Sequence, residues 1–579
     1  IYRGLVGSEM CIRDRSSKKM TGGEAVVETL LANEVEVVTG LIGSSTLEIL
    51  DGLYNNADKI RYIGCRHESN GMIMMDAYAR YTGKNGVFLS GQAGPGVSNT
   101  VTAMAQAKAA FSPVVNLAGA IASDHKGKDA FQEIDQVSLM QAVSKKVFEV
   151  KEVESIPEVL NEAMQTALTP RCGPVHVDMP RDVLGKSAEF NQPTKFKPIS
   201  TLAADEDNLK KAVKLLSEAH KPVILVGAGV KNYGTSAADS VLKLAELLNA
   251  PCTTSPGHGD AIPYSHPLNA GSAGPRGSGL GTKLLREADV ILVLGSRLGF
   301  NTTFYSYENL NEKASIIQCE IDLNSIGRYF PVEVGIHADA KTVTDELCKM
   351  LETHKSKKEV QDWLDQFKDN RKNYFEKRDA DADTESVPIL PSGLFKELRG
   401  ALPEDCVVTL DAGTMCLQLT DALQYHQPKS LFSPLDFGLV GFSYPAGLGI
   451  KLAAPERPVV SFHGDGGMSM VIPELSTAIE NNINTVVCVM NNGTWGAEAA
   501  YQKDFFEGRF IGAHITTPEF DKVAELYGCK GIKVEKAGEI GDAIKAGIEA
   551  DCPTVIDVQC SPDALYSFRQ DSFKHKVKQ

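Results

Sequence analysis

Two short segments carry oxygen ligands and glycines in the pattern a metal-bound diphosphate requires. His463-Gly464-Asp465-Gly466-Gly467 follows one apolar run, Asn491-Asn492 ends the next, and 24 residues separate Gly466 from Asn491. Asp465 and Asn492 are hard oxygen donors of the kind Mg²⁺ takes at about 2.1 Å, in a coordination sphere it shares with phosphates. Gly464, Gly466 and Gly467 let the backbone approach a diphosphate closely, and a helix from about Met468 would aim its first amides at the anion. Turns at the carboxyl ends of neighbouring parallel strands open into one crevice. Either half alone reads equally as a tight turn or a helix cap. Both at this spacing read as a metal–diphosphate cradle without a Walker lysine.

A carboxylate, Glu68, stands in "CRHESNGMIMMDAYARYTGK" at the start of an apolar helix, just after the strand-like run 60–65. By itself it reads as an acid complementing the helix dipole. With the cradle, the chain resembles the thiamine-diphosphate (ThDP) enzymes, whose signature is Gly-Asp-Gly, then about 24–28 residues, then Asn-Asn. The resemblance covers essentially all of residues 20–579. It implies that Asp465, the Asn492 side chain and the Thr494 carbonyl hold Mg²⁺ on the cofactor's diphosphate, beside Gly464, Gly466 and Gly467. It implies that Glu68 bonds N1′ of the aminopyrimidine. Protonation there favours the imino ring, whose nitrogen can take the C2 proton of the thiazolium, so the chain tunes a nucleophile that belongs to the cofactor. "GLVGFSYPAGLG" (438–449) implies that Val440 props the bent cofactor. "DAGT" (411–414) resembles the loop that meets the pyrimidine, with Gly413 and Thr414, and "LIGSS" (41–45) the loop above the thiazolium, with Gly43.

Within that family, "GQAGPGVSN" (91–99) and "AFQE" (130–133) resemble the acetohydroxyacid synthase group, in which Phe131 and Gln132 would face the reacting centre. These synthases condense two 2-keto acids. The segment after Asn492, "GTWGAEAAYQKDFFEGRFIGAHI", and the tail "SFRQDSFKHKV" (567–577) are instead similar to the sulfoacetaldehyde acetyltransferases, which turn sulfoacetaldehyde and phosphate into acetyl phosphate and sulfite. Two departures stand against this: Ala93 where that group has Asn, and Gln570 where it has Arg. Glu498, apolar in the synthases, matches an acidic proton-relay position of related decarboxylases and reads equally as a surface-helix glutamate. Arg569 reads as a partner for a sulfonate or phosphate, or as an exposed terminal arginine. The expectation is the acetyltransferase reaction, with an acetolactate synthase catalytic subunit as the alternative. The synthases bind FAD in a middle domain, where Arg276, Arg297 and Asp322 resemble adenine-nucleotide contacts; FAD stays open because many relatives have lost it. The family builds each site from Glu68 of one subunit and Asp465 of another, which implies a homodimer or homotetramer.

The elements that must position these residues alternate short apolar runs with amphipathic stretches, the signature of α/β domains with mainly parallel sheets flanked by helices. Three blocks emerge: 20–190 as the pyrimidine-binding domain, 205–350 as a nucleotide-fold middle domain, and 390–579 as the diphosphate-binding domain. Strands are expected at 35–41, 60–65, 86–90, 114–118 and 175–178, then in "PVILVGAG", "DVILVLGSR" and "SIIQCEID", and then in "CVVTL", "PVVSFHGDGG", "TVVCVMNNG" and "TVIDVQ". Residues 186–205 read as a linker and 352–385 as a solvated, charged helix with linker. Residues 1–19 resemble translated adapter sequence rather than protein, with Met20 as the start, and stand outside the fold argument.

Composition bounds the rest. Hydrophobic residues make up 43% and charged residues 23% of 579, the balance of a globular chain rather than a disordered or fibrous one. Lys+Arg 59 against Asp+Glu 74 gives a net charge of −15, which argues against a nucleic-acid or anionic-membrane partner and leaves small-molecule substrates. Twelve cysteines without a Cys-x-x-Cys pair read as buried thiols of a reducing compartment, hence a cytoplasmic enzyme.

Overall fold

The computed structural model describes residues 17–196, 202–568 and 570–576. Three six-stranded sheets, each entirely parallel and flanked by helices, organise the chain. Parallel strands are buried on both faces, so each central strand is a run of Val, Ile and Leu with almost no polar alternation. The first sheet has the order Arg61–Gly64, Val37–Leu41, Gly86–Ser90, Val114–Ala120, Val175–Pro180, Lys146–Glu149. The second runs Asn269–Ser272, Cys252–Thr254, Pro222–Val226, Val290–Leu294, Ser315–Glu320, Val334–His337, and the third Leu431–Phe432, Val407–Leu410, Val459–Gly464, Val486–Asn491, Thr554–Gln559, Lys530–Val534. Each sheet reverses its strand order beside its first strand, and the crevice there is where ligands of such sheets bind.

Two expectations are corrected. The stretch 186–205 is not linker throughout: Ser187–Phe190 pairs antiparallel with Lys18–Thr21, so Lys18 and Lys19 belong to the folded chain. The charged stretch 352–385 carries a helix, Lys358–Ala380, whose Val360, Trp363, Leu364 and Phe367 are buried, the last three in the core of the second sheet. One further core runs across two sheets. Helix Glu68–Thr82 lies on helix Ser443–Ala453 so closely that a Cβ on Gly449 would sit 2.0 Å from the Met74 carbonyl oxygen. Met72, Met75, Phe442, Ala446 and Leu448 share that core. The first and third sheets are thereby locked together. Among the described residues no helix is long and apolar enough to cross a membrane, and each described cysteine is a free thiol.

Candidate active site

The diphosphate motif sits at the carboxyl end of Val459–Gly464. The helix there begins at Asp465 rather than Met468 and lasts five residues, Asp465–Ser469, with Gly464 as its N-cap. Asp465 is buried. Its Oδ1 accepts from Gly466 N at 2.9 Å and its Oδ2 from Gly493 N at 2.6 Å, so the turn after one strand is tied to the turn after the next. Burial pushes the Asp465 carboxyl up, against the pull of those N–H groups. The Asn492 Oδ1 accepts from Thr494 N at 3.2 Å. Asp465, Asn492 and Thr494 line one cavity of about 670 Å³, together with Gly413, Thr414, Val440, Gly464, Gly466, Gly467 and Glu498. A carboxylate, an amide oxygen and a backbone carbonyl are hard oxygens of the kind Mg²⁺ takes.

The three glycines do different things. A Cβ on Gly464 would meet nothing within 4 Å, so this residue opens onto the cavity. A Cβ on Gly466 would lie 2.7 Å from the Trp495 ring, and one on Gly467 would lie 2.1 Å from Asp411 Oδ2. Packing inside the protein therefore explains Gly466 and Gly467, whereas Gly464 leaves space open to the cavity. Asp411 itself, at the head of the loop expected to meet the pyrimidine, turns inward. His463 Nδ1 lies 3.1 Å from Asp411 Oδ2, while His463 Nε2 accepts from Tyr444 N. That acceptance leaves the proton on Nδ1, which donates to the carboxylate. Gly441 N and Phe442 N also donate to Asp411. Burial raises the Asp411 carboxyl, but His463 and these N–H groups outweigh it and hold it below the usual range. The pair fixes the backbone next to Val440, a role the sequence alone did not signal.

A second group gathers at the carboxyl ends of the first sheet. Glu68 is the buried first residue of helix Glu68–Thr82, and its Oε2 accepts from Asn99 Nδ2 at 2.9 Å. Gly43 approaches Gly91 so closely that a Cβ would lie 2.3 Å from the Gly91 carbonyl carbon. Ser44 N donates to Gln92 Oε1 at 2.8 Å, and Gln92 Nε2 donates to Gln132 Oε1. Gln132 is held at φ 66°, a conformation rare for a residue with a side chain and frequent at functional sites. Phe131 beside it is 88% exposed. Ser44, Gln92 and Asn99 lay inside recognised motifs, but only the fold shows which groups they touch. Within one chain the two groups stay apart: among the described residues, the lining of the Asp465 cavity begins at Arg276.

The residues that resemble adenine-nucleotide contacts each have partners within the chain. Asp322 bonds Arg171 Nη1 at 2.6 Å and Ser325 Oγ at 3.0 Å. Arg276 faces the Asp465 cavity, with its guanidinium 4.5 Å from the Phe568 ring and Nη1 on Asn301. Arg297 borders both this cavity and a second one of about 680 Å³ at the junction of the three sheets. Arg276 and Arg297 line one cavity, and Asp322 is held by Arg171. Arg569 lies outside the described residues. Phe568 and Phe573 of the tail pack on Tyr501, closing one wall of the Asp465 cavity.

The geometry defines a class, and comparison with known proteins agrees. The chain matches the models of the thiamine pyrophosphate enzyme N-terminal TPP binding domain at residues 20–139, the central domain at 209–347 and the C-terminal TPP binding domain at 411–558. It belongs to the thiamine pyrophosphate enzyme family. Among its relatives are a protein of Methanococcus aeolicus named "Probable acetolactate synthase large subunit", 34% identical over 95% of this chain and 93% of that one, and the sulfoacetaldehyde acetyltransferase of Alcaligenes xylosoxydans xylosoxydans, 33% identical over 97% and 96%. The acetolactate synthase large subunit of Corynebacterium glutamicum is 32% identical over 95% and 88%. The chain is a ThDP-dependent enzyme of this group.

Proposed function

We propose that the enzyme uses thiamine diphosphate and Mg²⁺ to convert sulfoacetaldehyde and phosphate into acetyl phosphate and sulfite. The observation that carries this reading is that Arg276, Arg297 and Glu498 all line the cavity that holds Asp465 and Val440, with Arg297 beside Asp436. Two guanidinium groups and a carboxyl group around a reacting centre suit an anionic aldehyde and inorganic phosphate. Asp465, Asn492 and the Thr494 carbonyl would hold Mg²⁺ on the diphosphate against Gly464. The cofactor, when bound, would supply a nucleophilic carbon for the aldehyde.

The remaining work falls to the chain. Glu68 would hold a proton at the aminopyrimidine, Val440 would support the cofactor, and Glu498 would move a proton to or from the substrate oxygen. Arg276 binds the sulfonate, and Gln132 with Phe131 faces the reacting centre. The carbon–sulfur bond breaks with its electron pair leaving on sulfite, a phosphate oxygen bonds the acyl carbon, the aldehyde proton is released and the methyl carbon gains one. The complete site combines the Glu68 group of one copy with the Asp465 group of another, so the smallest working unit is a homodimer. Ile42, Leu47 and Phe131, exposed beside Gly43 and Gln132, offer apolar surface for that second copy. We read it as cytoplasmic, in keeping with its free thiols.

The deciding assay measures sulfite and acetyl phosphate from sulfoacetaldehyde plus phosphate, beside acetolactate from pyruvate. Release of both products supports the reading. The second reading, an acetolactate synthase, draws on the paired loops of Gln92 and Gln132; acetolactate without sulfite release would establish it and overturn the first.

A further inference from the structure

Glu474 lies in the third block, on helix Glu474–Glu480, yet most of its hydrogen bonds go to the first block. It is fully buried. Its Oε1 accepts from Arg66 N at 3.0 Å, His67 N at 3.2 Å and Asn70 Nδ2 at 2.9 Å, and its Oε2 from Thr477 Oγ1 at 2.6 Å. These three donors bracket Glu68, and His67 is the N-cap of the helix that Glu68 begins. The same helix face makes further contacts: Thr477 Oγ1 reaches the Gly64 carbonyl at 3.4 Å, Glu480 pairs with Arg66, and the Asn481 carbonyl accepts from Arg61. A strand end and a helix start, two places where backbone N–H groups lack partners of their own, are thus satisfied by a side chain from another sheet. Burial pushes the Glu474 carboxyl up, against the pull of its four donors.

We propose that Glu474 is a positioning residue for Glu68: it sets where the aminopyrimidine-facing carboxylate sits without touching cofactor or substrate itself. Among the described residues the Glu68 side chain accepts a hydrogen bond at Oε2 alone, from Asn99, so its location depends on the backbone that carries it. Loss of the Glu474 oxygen leaves Arg66 N, His67 N and Asn70 without their acceptor and frees the first turn of the helix to shift. Displacement of a catalytic group by about 1 Å costs on the order of 100-fold in turnover. Gln is the informative conservative change. Its amide oxygen can take the place of Oε1 and keep all three donors, while its NH₂ faces the Thr477 hydroxyl, which can accept.

The inference rests on the ThDP reading, and the test separates the two. Binding of ThDP with Mg²⁺ is followed by the fluorescence of Trp495, whose ring covers Gly466; turnover is measured on the substrate the wild type uses. Backbone amide exchange is measured on the cofactor-free protein. For Glu474→Leu the expectation is kcat lowered 10–100-fold, KM and cofactor affinity within about threefold of wild type, and faster exchange over 61–71 with 459–470 unchanged. Glu474→Gln should keep kcat within about threefold. Should the leucine variant fail to fold, Asn70→Ala removes one donor from the other side and should lower kcat several-fold with the same exchange signature. Wild-type turnover in the leucine and alanine variants, a parallel loss of cofactor affinity, or inactivity of a folded Glu474→Gln protein would each overturn the proposal. A wild type that binds no ThDP would instead overturn the reading beneath it.

Discussion

Gly464 and Gly467, three residues apart, should respond oppositely to the same methyl group. In Gly467→Ala the new carbon would lie 2.1 Å from Asp411 Oδ2 and 3.2 Å from His463 Nδ1, inside a buried pair with no flexible end to yield. Forcing that pair apart loses a charge-assisted hydrogen bond of about 1.5–3 kcal/mol and adds overpacking of about 1–3 kcal/mol. The combined cost, about 3–5 kcal/mol, lowers the midpoint of thermal unfolding by roughly 10 °C for a domain of this size. Gly464 has φ −78° and ψ 160°, open to any residue, and free space around its Cβ. Gly464→Ala should therefore leave the cofactor-free protein as stable as wild type or stabilise it by about 0.4–1 kcal/mol. The methyl group then projects into the space the diphosphate needs and weakens ThDP binding about tenfold or more, equal to about 1.4 kcal/mol. Thermal unfolding without cofactor and a Trp495 fluorescence titration with ThDP and Mg²⁺ measure the two effects. A Gly467→Ala protein as stable as wild type, or a Gly464→Ala protein that binds ThDP normally, would refute the division of labour between these glycines.

Further expectations concern the site and its surroundings. Glu68→Gln should keep ThDP binding within a few-fold and lower turnover by about 10²–10⁴. Mixing separately inactive Glu68→Gln and Asp465→Asn proteins through a dissociation step should restore about a quarter of wild-type activity, because half of the reassorted dimers then carry one intact site; no recovery means that each site lies within one chain. Arg276→Leu should raise KM for the anionic substrate about tenfold without altering ThDP affinity, as read by initial rates and fluorescence. Desolvation pushes the Asp421 carboxyl up to about 6, against the Arg378 charge. Its folded-state pKa thus exceeds the unfolded value near 3.8, so its contribution to stability is present below about pH 4 and lost as pH rises through 6. Asp421→Asn should flatten that part of the curve in urea unfolding run from pH 4 to 7.

What could be read from residues alone followed from burial. Central strands such as Gly86–Ser90 and Val486–Asn491 are buried from both faces and write themselves as apolar runs. Lys146–Glu149, Cys252–Thr254 and Leu431–Phe432 were missed because they are short strands at or near a sheet edge, whose pattern is too brief to register. Asp465 and Asn492 stood out because both ligand turns follow such runs at a fixed interval. Glu474 did not, since its partners lie about 400 residues earlier and nothing in "PELST" points to them. The partner of Asp322 was hidden for the same reason: Arg171 comes from another sheet. Side chains whose role is set by local backbone are legible; those recruited across sheets are not.

The locking of helix Glu68–Thr82 onto Ser443–Ala453 also bears on biosynthesis. Met72, Met75 and their neighbours leave the ribosome early, but the surface that covers them is made some 370 residues later. At about 5–20 residues per second that is roughly 20–75 s during which the amino-terminal third has an uncovered greasy flank. The second sheet, with a separate core, can complete itself in that interval. The flank shared with the third block is therefore among the last surfaces to be covered, and overexpression that outpaces the cell's holdases should yield aggregates seeded by it.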